Sequence, residues 1–423
     1  MNSITKILRR VNVNINRCAY VTAADAQEKT KQVREWHILK YGSLDDLVYK
    51  ENSEKPRISE PTEVMIKVHA ASVNPIDVAM IKGYGSTFLN LARACGNGWE
   101  FPLVLGRDFV GEVVQKGMNV PERDARLGQL VWGVVPVHKQ GSHRDYVVVN
   151  KNFIADKPTN VLDTDATGFL YAGMTAWSGI FVSGMLGGPL AIATGTGGGK
   201  YKNVLVLGAS GGVGSIATQI LLAEQANVTA TCSPDAIPFV DSLGAVPNVL
   251  DYTANDYYQK LSSCGPFDLV LDCAGRGPDY AQELPCTFHT YVTFSSPTLR
   301  NMDDMGLIAG NVKNLADLFI SNIKTLGAKK AVVKWAYFIP APQGLKYLGN
   351  LVRSGQLTSV TSTVFHFENA NLAYKRVEEK HLRGKIVLDF MNSVPLEQTM
   401  KSETIPQKER ETKNEEKPKE IQN

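Results

Sequence analysis

Four glycines crowd one short stretch, Gly208-Ala-Ser-Gly-Gly-Val-Gly214. The apolar run Val204–Leu207 precedes it, and Ile216, Ala217, Ile220 and Leu221 follow at helical spacing. A buried strand, a glycine turn and a helix together make a pyrophosphate site. Glycines let the backbone approach the anion, and the helix start offers unpaired N–H groups and partial positive charge. Ser210, Gly211, Gly212 and Val213 are the candidate contacts. Ala209 and Ser210 depart from the strict GxGxxG spacing. A second strand, Asn227–Cys232, follows about 20 residues on, where a ribose would lie. It ends in Ser233 with no carboxylate before Asp235. That leaves room for a 2′-phosphate and favours NADPH over NADH.

These groups need a scaffold. Runs at 248–251, 267–272 and 291–294 continue a strand–helix alternation, as in a doubly wound parallel sheet. Residues 33–160 read as β-rich, with strands at Val64–Ala70, Phe109–Val114, Leu130–Val135 and Asp145–Val149. More strands follow at Thr361–Phe367 and Gly384–Phe390, around a helix near Phe367–Lys380. The expected fold is α/β: a Rossmann unit over 161–339, inserted in a β-rich domain built from 33–160 and 340–392. The cleft between the two is where a substrate would bind.

A chain of 423 residues supports two domains, and 43% apolar with 21% charged residues is ordinary for a globular protein. A net charge of +3 without a basic, aromatic-laced stripe argues against a nucleic-acid partner. No apolar run reaches the roughly 18 residues of a membrane span. The six cysteines form no CxxC pair. Residues 1–24 carry Lys6, Arg9, Arg10 and Arg17 with no acid, and Ile4, Ile7, Leu8 and Val11 at helical spacing. That is the pattern of a mitochondrial presequence, which would deliver the chain to the matrix. The charged stretch 393–423 reads as a disordered tail. Gly195–Lys200 mimics a P-loop, but Tyr201 replaces its Ser/Thr and the strand follows rather than precedes it.

Ala70-Ala-Ser-Val-Asn-Pro-Ile-Asp77, Leu105-Gly-Arg-Asp-Phe-Val-Gly111, Tyr171-Ala-Gly-Met-Thr-Ala-Trp177 and Arg383-Gly-Lys-Ile-Val387 occur in this order. With the glycine turn, they resemble the medium-chain dehydrogenase/reductases over residues 35–391. Asn-Pro-x-Asp with Gly-Arg-Asp-x-x-Gly resembles the zinc-free quinone oxidoreductase branch. The resemblance implies a GroES-like catalytic domain beside the Rossmann unit. It carries Ser233, Tyr252, His381, Leu382 and Arg383 to the adenosine-phosphate side, and Ala336 and Phe338 to the nicotinamide half. Arg383 would supply the cation for a 2′-phosphate. The lysine that many relatives hold nearby is replaced by Pro234, Asp235 or Thr253.

Zinc alcohol dehydrogenases place Cys-His and Gly-His-Glu where this chain has Asn74-Pro75 and Gly106-Arg107-Asp108. The thiolate and imidazole are gone, so no metal is expected. His69, His138 and His143 read as scattered core or surface residues. Tyr84, in Gly83-Tyr-Gly85, is either a proton donor to a reduced substrate or a turn tyrosine. Asn74 either bonds the nicotinamide ribose or a substrate carbonyl, or holds its turn. Asp77 reads as ordering that turn. Arg107 and Asp108 either pair with each other or brace the domain interface. The function implied is hydride transfer from NADPH to a quinone or enone, linked to ubiquinone biosynthesis. The alternatives are an enoyl-thioester reductase and a cofactor-binding scaffold. Besides a small-molecule substrate, the implied partners are a mitochondrial protein and a second copy of the chain.

Overall fold

The computed structural model describes residues 21–22, 33–95, 99–188 and 198–392. The expected presequence, apart from Val21 and Thr22, lies outside the described residues. So do the charged tail 393–423 and residues 195–197 of the P-loop mimic.

Six strands form one wholly parallel sheet. In spatial order they are Asn248–Asp251, Asn227–Cys232, Asn203–Leu207, Phe267–Asp272, Phe288–Thr293 and Val332–Trp335. Side-chain alternation explains why the first of these in sequence reads as a continuous apolar run. Val204 and Val206 face one core, with helices Asp163–Trp177 and Gly212–Ala223, while Leu205 and Leu207 face a second. A strand covered on both faces needs no polar side. Strand order reverses between Asn203–Leu207 and Phe267–Asp272. The carboxyl ends at that reversal are the usual crevice for a ligand.

An eight-stranded sheet is organised around Glu63–Val73. One edge of this 11-residue strand pairs with Asp108–Lys116. Its other edge pairs first with Tyr146–Asn150 and then, past residue 69, with Lys385–Asp389. Register shifts at Met65/Ile66 and Val68/Ala70 supply the bend that this change of partner requires. Thr361–His366 adds in parallel beyond Lys385–Asp389, so the C-terminal strands complete a sheet begun 300 residues earlier. Val21–Thr22 pairs with Lys116 and Gln115. Leu47–Ser53, Val33–Ile38 and Leu103–Val104 make a small third sheet.

Strand ends differ from the sequence reading by one to three residues. The C-terminal helix is a short 3-10 turn, Phe367–Asn369, followed by Ala370–Glu378. A long helical segment, Thr298–Lys329, has no counterpart in the sequence reading. Gly306, at φ +78°, breaks its run and folds its first turns back on the rest. Asn301 there donates to Asn314 at 2.7 Å and to Asp317 at 2.9 Å.

Phe367 anchors the core of the eight-stranded sheet. Its ring is buried, stacks on Phe390 at 4.0 Å, and its carbonyl accepts from the Trp36 indole. Phe367→Ala keeps that carbonyl but leaves a ring-sized void, so it should destabilise by about 3–5 kcal/mol. A denaturant midpoint unchanged from the parent would refute this account of the core.

Candidate functional site

The glycine turn stands at the reversal point, with the helix Gly212–Ala223 starting directly above it. Gly211 precedes the helix and offers no side chain to cap it. The first helical N–H groups therefore face the crevice without an intrahelical acceptor. A β-carbon on Gly212 would lie 3.0 Å from Lys385 Cδ and 3.3 Å from the Gly384 carbonyl. The turn is thus a cradle in which backbone alone fits. That matches a pyrophosphate, the group expected of a dinucleotide.

The C-terminal segment closes the cradle. Gly384 N–H donates to the Ser210 carbonyl at 3.2 Å, and Lys385 N–H to Val360 at 2.8 Å. Gly384 has φ +72°, and a β-carbon there would meet the Val360 carbonyl at 1.9 Å. No other residue makes this turn without shifting the backbone. Arg383 is thereby delivered to the end of the second strand, where it donates to Ser233 Oγ at 3.0 Å and pairs with Asp235. Asp235 is 69% exposed, so an incoming phosphate could take its place on the guanidinium. Its carboxyl is held below the usual range by Ser233 and Arg383. Tyr252 is half exposed and near the same strand end, its N–H on the Cys232 carbonyl at 3.2 Å. His381 is exposed at φ +50°. Leu382 instead packs its side chain against the apolar core of the eight-stranded sheet.

On the other side of the crevice, Ala336 is buried with its N–H on the Thr293 carbonyl at 2.9 Å. Phe338 stacks on Tyr171 with ring centres 4.5 Å apart. Tyr171 was quoted above only as part of a motif. Its ring on Phe338 places it beside a residue that the resemblance assigns to the nicotinamide half. Burial holds its phenol protonated.

Asn74, Asp77, Arg107 and Asp108 form a buried polar knot. Asp77 accepts from Asn74 N–H and from Gly106 N–H, both at 2.9 Å, which orders the turn. Arg107 and Asp108 do not pair with each other: Asp108 opens its strand and turns to Ser72, while Arg107, just before the strand, turns to Asp77 and to backbone carbonyls. Arg107 approaches Asp77 at 3.6 Å and donates to the carbonyls of Val104, Pro136, Val137 and Lys139. Asp108 accepts from Ser72 N–H at 2.6 Å, Ser72 Oγ at 2.5 Å and Tyr171 N–H at 3.2 Å. The Asn74 side chain is held from two sides. Its amide donates to Ser72 Oγ at 3.1 Å, and its oxygen accepts from the Lys385 ammonium. Lys385 is buried, with Asp108 and Asp77 as its charge partners. Burial raises the Asp108 carboxyl and lowers the Lys385 ammonium. The sequence signal for Lys385 was a lysine opening the apolar run Ile386–Leu388, and it was not used.

This knot is built on the residues that stand, by the resemblance, where zinc-dependent relatives hold their ligands. Amide, guanidinium and ammonium groups do not fit Zn²⁺, since the last two are cations without a lone pair to give. Among the described residues no three His, Cys, Asp or Glu side chains converge to hold a metal ion. His69 bonds Asp163 at 2.9 Å, and His143 bonds the Tyr374 hydroxyl at 2.6 Å.

Tyr84 borders a hollow of about 790 Å³ lined also by Gly275, Phe294, Ser295, Arg300 and residues of the long helix. Its loop is fixed by that helix: Asp303 accepts from Gly85 N–H at 2.6 Å and Thr87 N–H at 3.0 Å. Burial, chiefly, raises the Tyr84 phenol above its ordinary value, so it remains protonated at neutral pH.

Comparison with known proteins follows this geometry. A model described as an alcohol dehydrogenase GroES-like domain matches residues 60–159, and one described as a zinc-binding dehydrogenase matches 243–388. The chain is 44% identical to "NAD(P)H oxidoreductase RTN4IP1, mitochondrial" of Drosophila melanogaster, over 87% of this chain and 88% of that one. It is 39% identical to the Homo sapiens protein of that name, over 84% and 89%. Among solved structures, a quinone oxidoreductase from Coxiella burnetii superposes with TM-score 0.63 at 24% identity, over 85% of this chain and all of that one. The CurK enoyl reductase gives 0.64 at 19%, over 85% and 99%. These two establish the fold alone.

Gly212→Glu places a carboxylate in the cradle. It should weaken NADPH binding by about 10²-fold or more, read by calorimetry, because the anion would meet a buried like charge. Binding equal to the parent would remove the cofactor from this turn. Elemental analysis should find no stoichiometric zinc, and chelators should leave the melting temperature unchanged; one tight zinc per chain would overturn the reading of the knot.

Proposed function

We propose an NADPH-dependent quinone or enone reductase for this chain, which belongs to the medium-chain dehydrogenase/reductases and groups there with the mitochondrial NAD(P)H oxidoreductases named RTN4IP1. The chain is an oxidoreductase of the α/β fold with a GroES-like part and a Rossmann-like sheet. The proposal adds the cofactor's identity, the substrate class, a site in the mitochondrial matrix and a link to ubiquinone biosynthesis. The observation that carries it is the clamped, uncapped glycine cradle opening beside a cleft with a protonated Tyr84.

Bound nicotinamide supplies a hydride. The chain's own groups do the rest. The helix start at Gly212 and Val213 holds the pyrophosphate, and the clamp of Gly384 on Ser210 keeps that turn in place. Arg383, with Ser233, receives the 2′-phosphate after giving up Asp235. Phe338 on Tyr171 and buried Ala336 wall off the nicotinamide half from water. Asn74 is buried with its amide on Ser72 and its oxygen on Lys385, which supports the turn-holding alternative for it. Tyr84 gives its proton to the oxygen or carbon that gains charge. A quinone or enone is suited to this site because its conjugated system accepts the electron pair without a Lewis acid. An enoyl thioester offers similar chemistry, and the same assay tests it.

Arg383→Ala removes a charge-assisted contact. It should weaken NADPH by about 10–100-fold and leave NADH nearly unchanged. Equal loss for both would place the arginine elsewhere than the 2′-phosphate. Tyr84→Phe should slow turnover by about 10²-fold with NADPH affinity retained. For the parent enzyme, the raised phenol keeps its proton through neutral pH. The rate should therefore stay level there and fall only in strongly alkaline solution. Tight NADPH binding without turnover on quinones, enones and enoyl thioesters would sink the enzymatic reading and leave the scaffold.

A further inference from the structure

The long helix is turned inside out. Its buried face is small or polar: Gly310, Asn314, Ser321 and Thr325. The hydroxyls of Ser321 and Thr325 are buried without hydrogen-bond partners. Its outer face is apolar. Ile308, Val312, Leu315, Phe319, Ile323 and Leu326 follow one another at steps of three or four and are 55–84% exposed. A contiguous apolar surface of this kind marks a docking site rather than chance exposure. We propose that it docks on an anionic membrane surface, the helix lying in the plane of the headgroups.

Three observations favour this occupant over a second copy of the chain. First, exposed lysines border the stripe: Lys324 flanks it and Lys330 follows its end. Asp317, beside the stripe, is already paired with Lys313 at 2.7 Å. Cationic flanks beside an apolar face suit acidic headgroups, and in a symmetric pair they add like charges.

Second, the neighbouring sheet edge is closed to extension. Val332–Trp335 is the edge strand, yet Val333 N–H donates to Asn322 Oδ1 at 2.9 Å and its carbonyl accepts from Asn322 Nδ2 at 3.0 Å. The Trp335 carbonyl accepts from Ser183 Oγ at 3.3 Å. Backbone groups satisfied in this way cannot pair with another strand. Third, the cleft opens on the flank of the stripe, since Lys313, Ile320, Ser321 and Lys324 line both the helix and the hollow that Tyr84 borders. A hydrophobic substrate dissolved in the bilayer would have a short route to the phenol. The route, unlike the docking, rests on the reductase reading. The helix is an interfacial element and not a span: among the described residues no helix is long and apolar enough to cross a membrane.

The test is flotation of the full chain with vesicles of phosphatidylcholine, alone or mixed with phosphatidylglycerol. The parent protein should float with the mixed vesicles and only weakly with the neutral ones. Leu315→Glu/Phe319→Glu should lower that partition at least about tenfold, with melting temperature and NADPH affinity unchanged because both residues are exposed. Lys330→Gln should weaken binding to the mixed vesicles alone. A parent that does not float, or a double variant that floats like the parent, overturns the proposal. So does sedimentation showing a parent dimer that the double variant splits, which would make a second copy the occupant. Turnover separates this from the functional reading. The double variant should reduce a water-soluble quinone normally and a long-chain quinone in vesicles slowly. Floating without turnover of either quinone by the parent would defeat the reductase reading and leave the docking intact.

Discussion

One buried ammonium ties the last strand of the eight-stranded sheet to the polar groups near its first strands. Lys385 sits on the last strand of the eight-stranded sheet, its charge opposed by Asp108 and Asp77 and its hydrogens shared with Asn74. An ion of this kind is costly to bury, and removing either partner of such a pair costs about 3–5 kcal/mol. The arrangement therefore specifies position more than it adds stability. With Lys385 in place, Gly384 meets Ser210 and Arg383 meets Ser233. The glycine turn, Ser233 and the Asn74 amide are thus each held by one of three consecutive residues.

The knot bears on the proposed chemistry. Its cations, Arg107 and Lys385, have no lone pair to give a metal ion. Under the proposed reduction, charge developing on a substrate would be met by a proton, and Tyr84 is a donor that burial keeps loaded. A conjugated acceptor fits those terms.

Much of this was legible in the sequence. The glycine turn was readable because a doubly covered strand must be apolar throughout and a backbone cradle must lack β-carbons; both are local demands. Arg383 and Ser233, both assigned to the adenosine side by resemblance, lie within hydrogen-bond distance of each other. The knot was not readable. Lys385 and Asn74 are 311 residues apart, and a lysine before an apolar run looks like a strand end. Arg107 and Asp108, adjacent in sequence, invited a pairing, but Asp108 is taken by Ser72 and Arg107 by Asp77 and backbone carbonyls, partners far away in sequence. The long helix was missed because its pattern is inverted. Apolar residues at Ile308, Val312, Leu315 and Phe319 satisfy helical periodicity, but Gly306 and Gly310 interrupt the run, and periodicity does not say which face is inward.

Asp303 ties two of these features together. Its carboxylate accepts from the backbone N–H groups of Gly85 and Thr87, just past Tyr84, from the first turns of the long helix. The tyrosine is thus moored to the short segment that Gly306 sets off from the rest of that helix. The phenol borders the hollow at a point fixed twice, by its own turn and by a carboxylate 218 residues beyond Gly85 along the chain.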